Sequence, residues 1–538
     1  VRPSIVFSPN LVDGINMMAD AVKPTLGPLP RQVGIERIER GRMPELLDDA
    51  GLIARRIIQL EDPTADVGAM MLRHGMWRIH ERIGDGAATM AVLTQAMMRE
   101  AVKGVAAGMH PMWLRRGIER GAQAAVDELR RNARPLAAGK AGRMQLSALA
   151  YALSADKELM DAIVAIVNNI GSEGAVDVII NERRSIDYEF IEGALYNAGW
   201  ISAAFVTDKA RTIARQEDAA VILLQGSIDS AEQAVEIIRQ LAAHSIERVA
   251  LIAHGVSEAA QQVFTHVHLQ GALQFILIEA PSVDEERLTA LHDISALTGA
   301  RLLFDIGELM RVRAEDIGFA RRLWATAKKF GIIAGRSDGE MLRGRAETVR
   351  AAIANFSDKK NWEQLDKLRW RLAQLTGGIA VLQVGALTRA LADTRRDHAK
   401  RLIQVLQYAT GNGLVVGGGA AYIACRAAVE QAAAQTDNAD ERYGVRCVAQ
   451  ALTAPLGVLA HNAGYDSAPV ISSVKQAEPE HGFDARSGKI VNLWDAGIVD
   501  ALLVVERALQ TAASVTAMAI TTDAVIHQRK SYPGPATP

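Results

Sequence analysis

Gly84-Asp85-Gly86-Ala87-Ala88-Thr89-Met90-Ala91-Val92-Leu93 sets a glycine-rich turn directly ahead of an apolar-periodic segment. Glycines leave backbone N–H groups uncovered, and a helix start adds partial positive charge, so the pattern builds an anion site. Asp85 suits Mg2+, which favours one or two carboxylates plus phosphate oxygens. The alternative role for Asp85 is a plain N-cap. The spacing predicts a helix over 88–107, with further helices over 65–84, 112–132 and 156–169.

Three other turns carry possible chemistry. Thr25-Leu26-Gly27-Pro28 follows a helical stretch and can bring backbone N–H groups to a phosphate, or be a plain turn. Asp48-Asp49-Ala50-Gly51 pairs two carboxylates that can orient a water or a cation, or form a solvated turn. Gly417-Gly418-Gly419 follows Leu414-Val415-Val416, as in half of a dinucleotide loop, but no acidic residue is placed for a ribose. There is no G-x-x-x-x-G-K-[ST], G-x-S-x-G, C-x-x-C or H-E-x-x-H. His266 and His268 lie two apart and point to different faces of a helix, which disfavours a metal site.

The 538 residues are 49% hydrophobic and 23% charged, so several globular domains are expected. A net charge of −2 offers no basic excess for nucleic acid or a membrane surface. Cys425 and Cys447 cannot make a disulfide framework and read as small buried apolar residues. No apolar run reaches the ~20 residues of a membrane span and no signal-peptide h-region is present, so a cytoplasmic location is expected. Apolar runs at 219–224, 248–253, 272–279 and 301–304 read as buried strands, with helices at 231–243, 257–269 and 284–297 between them. That alternation predicts a parallel α/β layer between helical flanks. Helical patterns return at 340–376, 388–409 and 500–518.

Taken together, ADAVKPTLGP, Leu60-Glu61-Asp62 with Gly68-Ala69, and GDGAATMAVL resemble the nucleotide motifs of group I (GroEL-type) chaperonins. The resemblance continues in the family's order through Glu192-Gly193, Leu297-Thr298-Gly299-Ala300, Leu375-Thr376-Gly377-Gly378, residues 413–419 and Ala512-Ala513-Ser514. It implies a multidomain α+β fold. The helical equatorial domain would take 1–134 and 413–530, a hinge-like intermediate domain 135–191 and 370–412, and an α/β apical domain 192–369, with a disordered tail at 531–538. Gly193 and Gly378 fall where the family hinges. The resemblance assigns Thr25, Leu26, Gly27, Pro28, Gly86, Ala87, Ala88, Thr89, Gly418, Asp484, Ile498 and Asp500 to ATP, Asp85 to Mg2+, and Asp49 to the γ-phosphate end. Trp200, Phe205, Val235, Ile238, Gln261, Thr265 and His266 would face client protein. Partners implied are a non-native or assembling client, a lid co-chaperonin, and sister subunits in a homo-oligomeric ring.

Departures shape the functional expectation. Ala87 and Ala88 replace threonines, and at ~1 kcal/mol or more per lost hydroxyl contact nucleotide binding weakens ten-fold or more. Leu29 and Pro30 replace a Lys-Gly pair, and Asp484 and Arg486 stand where the family has Asn and Ala at the adenine. Arg401 falls where the family's water-activating Asp belongs, and a guanidinium cannot accept a proton. Asp397, one helical turn earlier, is the possible substitute. Gln261, Thr265 and His266 make the client groove more polar, and Arg389 and Ala198 replace a Glu–Arg pair that joins neighbouring subunits. These changes predict slow or absent hydrolysis and a dedicated client. The chaperonins beside bacterial di-iron monooxygenases suggest a hydrocarbon-oxidising hydroxylase as that client. The alternatives are a general ATP-hydrolysing chaperonin and, from another class, a dinucleotide-dependent metabolic enzyme.

Overall fold

The computed structural model describes residues 4–7, 10–28, 30–36, 44–181, 184–191, 193–209, 212–244, 246–281, 285–334, 339–356, 362–376 and 378–527. Leu29, Glu192, Gly377 and the tail 531–538 lie outside the described residues. The chain divides into two compact units. One is Val1–Asn168 with Glu182–Ile186 and Gly385–Pro538, and the other is Asn169–Asn181 with Asp187–Val384.

The first unit is mostly helical. Its sequence-predicted helices appear as Pro63–Arg82, Ala87–Ala106, Pro111–Asn132, Arg389–Asn412 and Leu502–Ile520. Their ends have identifiable causes. Asp62 accepts hydrogen bonds from Thr64 N and Ala65 N, and Pro63 pre-sets the first turn. Small residues allow close helix crossings. A Cβ on Gly117 would lie 2.0 Å from Glu441 O, and one on Gly444 2.3 Å from Leu114 O, so Pro111–Asn132 and Ala439–Ala451 meet backbone to backbone. By length and composition Leu502–Ile520 could cross a membrane, but 61% of its apolar window is buried in this unit. Cys425 and Cys447 are buried free thiols whose pKa burial pushes up to about 12, as their reading as small core residues requires. Gly139–Leu153 is a helix the sequence pattern did not reveal.

The second unit centres on a mixed sheet. Its order is Gln274–Glu279, Arg248–Ala253, Ala214–Leu224, Gly318–Ala325, Phe330–Ala334, Ala194–Tyr196, with Leu302–Leu303 beside Ala214–Leu224. The expected parallel layer is present: Gln274–Glu279, Arg248–Ala253 and Leu302–Leu303 all run parallel within it. Gly318–Ala325 and Phe330–Ala334 extend it antiparallel. Alternation splits two cores across the sheet. Val221 and Leu223 face Leu291, Ile294 and Leu372, whereas Ile222 and Leu224 face Ile237, Leu241 and Phe264. Ser230 and Gln233 form a capping box at the start of Ala231–Ala243. The predicted 340–376 stretch is two helices, Gly339–Phe356 and Trp362–Thr376. Ile379–Val384 then forms the middle strand between Ala175–Ile180 and Ile186–Ile191.

Candidate functional site

Gly86, not Asp85, is the N-cap of Ala87–Ala106, at φ +94° and with no side chain capping the helix start. The first N–H groups of a 20-residue helix are thus left for an outside acceptor. The turn is wedged between two helices. A Cβ on Gly84 would lie 2.7 Å from Arg401 O, and one on Gly86 3.0 Å from Val504 Cγ1. Asp85 keeps contact with solvent although protein surrounds it densely. That crowding, with the Asp49 charge, raises its carboxyl pKa against the opposing effects of Gly86 N–H, His80 and Arg401.

Asp49 caps Ala50–Arg56, accepting from Leu52 N at 3.0 Å through Oδ1. The same oxygen lies 3.2 Å from His80 Nδ1, and Oδ2 accepts from an Arg401 guanidinium nitrogen at 3.0 Å. Burial alone would raise this carboxyl. The hydrogen bond and charge of His80, then Arg401 and Leu52 N, hold it at about 2. Gly51 makes room for His80, since a Cβ there would sit 2.3 Å from Nδ1. His80 stacks on Trp77, which carries the Arg55 guanidinium on its ring. His398 lies 3.4 Å from Arg401, and burial and then that guanidinium lower its pKa. Asp397 is not in the cluster: it is half exposed and paired with Arg396, so it does not stand in for the missing carboxylate. His80 and His398 escaped the sequence reading. His80 lies on the same helical face as Trp77, three residues on, where it reads as core.

On the opposite side, Gly418 has φ +63°, and a Cβ there would approach Phe483 O at 3.5 Å and Ile498 Cγ2 at 3.8 Å. Gly417 N donates to Ile498 O at 2.9 Å. Leu414–Val416 pairs with Val499–Ala501, setting Asp500 across from Val415. Gly418, Ile498 and Asp500 are therefore neighbours. Asp484 spends both oxygens in its own hairpin, on Arg486 N and Ser487 Oγ. Burial, and next the Asp85 charge, push Asp500 up to about 7. A raised carboxyl leaves stability intact below its unfolded pKa and erodes it as pH climbs to the folded value. Asp500→Asn should stabilise the protein at about pH 8 by on the order of 1–2 kcal/mol, allowing for residual solvent contact, and do nothing near pH 4. A Tm gain that ignores pH would contradict this.

The 23–28 loop is clamped from behind. Asn462 Nδ2 donates to Lys23 O and Leu26 O, both at 2.8 Å, and Arg31 holds its Oδ1. Thr25 Oγ1 donates to Val22 O, so its proton is already committed. Gly27 has φ +114° beside Leu459, and Pro28 is half-buried. A cavity of about 540 Å³ behind this loop is lined by Lys23, Arg99, Gln450, His461 and Asn462, and includes none of Asp49, Asp85, Arg401 or Asp500. Asn462 was invisible to motif reading because its partners are backbone carbonyls more than four hundred residues away.

One accessible carboxylate beside an uncapped helix start fits Mg2+ shared with phosphate oxygens. Asp85 would hold it. Among the described residues no group of three or more His, Cys, Asp or Glu forms a metal cage. Asp49 is already engaged on both oxygens.

In the second unit the expected client-facing residues divide. Val235 is 47% exposed, and Ile238, Thr265 and Trp200 are half-buried. Gln261 turns its amide back to Val256 O, and exposed His266 pairs with Gln270. Phe205 is fully buried, edge-on to His268, so it belongs to the core and not to a contact surface. Leu269, 75% exposed on the same helix as Gln261, was not singled out. His268 accepts from Phe275 N, an environment unlike that of His266. Gly193 has φ +91° and lies so close to Ile332 O that a Cβ would reach 1.9 Å, whereas a Cβ on Gly378 would lie 3.1 Å from Ile170 O and 3.3 Å from Gly174 Cα.

A family model described as the TCP-1/cpn60 chaperonin family matches residues 18–530. Among solved structures, the chain resembles the chaperonin gp146 from the bacteriophage EL 2 (Pseudomonas aeruginosa), crystallised in the presence of ATP-BeFx. The TM-score is 0.68 and the identity 18%, covering 98% of this chain and 99% of the other. At that identity the likeness speaks to fold. The matched span takes in the Asp85 turn, the Asp49–Arg401 pair and the Gly418–Asp500 corner alike, and the chain belongs to the TCP-1/cpn60 chaperonin family.

Proposed function

We propose that this protein is a chaperone that binds ATP but hydrolyses it slowly or not at all, and that it serves the folding or assembly of one client. The observation that carries the reading is the Arg401 guanidinium on Asp49 at 3.0 Å. By the family resemblance, position 401 is where an attacking water would be activated, and a guanidinium there cannot accept a proton. The uncapped helix at Gly86, the Asp85 carboxylate and the Gly418–Ile498–Asp500 corner support binding of phosphate, Mg2+ and nucleoside. The crystallisation of the phage chaperonin in the presence of an ATP analogue agrees with that assignment. The equatorial, intermediate and apical division, the hinges at Gly193 and Gly378, a homo-oligomeric ring and a lid co-chaperonin come from the family resemblance. So does the client, a di-iron monooxygenase hydroxylase. The polar Gln261, Thr265 and His266 favour a particular client surface over any exposed apolar segment.

Mass photometry with and without Mg-ATP, run beside a phosphate-release assay, tests the reading. The expected result is nucleotide binding with release near the buffer background. Steady release with rescue of assorted denatured proteins would favour a general folding machine. For the client, a complex with the hydroxylase that survives gel filtration is expected, and no interaction in a pull-down would remove it.

A further inference from the structure

His80 is 5% exposed, and its ring is held in place by named neighbours. It stacks on Trp77 with ring centroids 4.9 Å apart, and the Arg55 guanidinium covers Trp77 at 4.2 Å from its centroid. Gly51 leaves the space the imidazole occupies, since a Cβ there would fall 2.3 Å from Nδ1 and 2.4 Å from Cγ. Nδ1 itself lies 3.2 Å from Asp49 Oδ1. An ionised carboxylate only accepts, so Nδ1 carries the proton and donates it to that bond. Gly51 belongs to the helix that Asp49 caps, so the element that presents the carboxylate also makes room for its donor.

The placement of this donor matters for charge. Asp85 is the carboxylate for Mg2+, so the chain itself must manage the charge of Asp49, which by the family resemblance stands at the γ-phosphate end. Arg401 meets Asp49 Oδ2 at 3.0 Å, while His80 and Leu52 N together hold Oδ1. Without His80, Oδ1 would keep only the Leu52 N bond. The carboxylate would then be less neutralised and freer to turn toward an incoming γ-phosphate, and like charges at close range repel. A diphosphate ends short of this point and meets no such repulsion. Resting on the reading of this cleft as a nucleotide site, we propose that His80 is a positioning residue acting through Asp49, and that it sets how well the site takes a nucleoside triphosphate relative to a diphosphate.

The test is calorimetric titration of the full-length protein with ATP and with ADP, both in Mg2+, for the wild type, His80→Leu and His80→Asn. Leucine fills the space and donates nothing, whereas the asparagine amide can place an N–H near the position of Nδ1. His80→Leu should lose roughly five-fold or more in ATP affinity and stay within about two-fold of wild type for ADP. His80→Asn should keep both affinities within about two-fold of wild type. ADP binding by the same sample reports an intact fold, and His80→Ala carries the same expectation should the leucine variant not fold. ATP and ADP affinities that fall together would make His80 a packing residue and overturn the proposal. So would an unchanged ATP affinity in His80→Leu, or an asparagine variant as weak as the leucine one. Each of those results leaves the nucleotide reading intact. A wild type that binds neither nucleotide overturns both.

Discussion

Replacing Arg401 by aspartate should raise the rate of phosphate release from ATP about 10²-fold, the size of effect a positioned general base supplies. By the family resemblance, position 401 is where a water-activating carboxylate belongs. Arg401 lies on Arg389–Asn412 beneath the Gly84 turn, beside Asp49 and close to Asp85. A carboxylate there would accept a proton from a water held between Asp49 and the helix start at Gly86. Arg401→Ala separates two explanations. If the arginine merely blocks a water, alanine should release the block and recover much of the rate. If the missing base is what limits turnover, alanine should recover less than about ten-fold. The new carboxylate would also face Asp49, and two like charges at close range push one pKa up. The gain should therefore grow as pH rises across the neutral range. An Arg401→Asp protein that folds, binds ATP and releases phosphate no faster than wild type would show that residue 401 does not set the rate of phosphate release.

The legible part of this site was the part written locally. Gly84, Asp85, Gly86 and the helix behind them are contiguous, so a glycine turn ahead of a helix followed from spacing, while its assignment to phosphate and Mg2+ came from the family resemblance. Asp49 was visible as a turn carboxylate, but its state was not. That depends on Arg401, 352 residues away, and on a histidine that Gly51 admits by lacking a side chain. The correction at Asp85 is of the same kind: whether a carboxylate caps a helix depends on one peptide's rotation, and Gly86 takes that position instead. In the second unit the apolar strands were plain. The charged half of Ala214–Leu224 was not, because Glu217 is stabilised across the sheet by Arg322 as well as by Arg215. Gly318–Ala325 carries two arginines and does not read as an interior strand, yet it pairs on both edges. Phe205 misled because an aromatic next to a surface segment was assigned outward, when the nearby His268 ring and the core enclose it.

The second large effect lies at Asp293, which is 1% exposed on Glu285–Thr298 and holds two arginines from different helices. Arg345 reaches Oδ1 at 2.8 Å from Gly339–Phe356, and Arg371 reaches Oδ2 at 2.8 Å from Trp362–Thr376. One carboxylate thus fixes three helices on one face of the mixed sheet, beside the core of Leu291, Ile294, Leu372 and Leu375. Asp293→Ala leaves two guanidiniums facing each other with no counter-charge, and should destabilise this unit by about 3–5 kcal/mol, read as a lowered denaturant midpoint. Asp293→Asn preserves shape but not charge, and should fall nearly as far, because an amide oxygen cannot balance two cations. Replacing all three residues together by apolar side chains of matched volume should recover most of the loss, since the desolvation of the ions disappears with them. If Asp293→Ala unfolds at the wild-type midpoint, the carboxylate is not what holds these helices together.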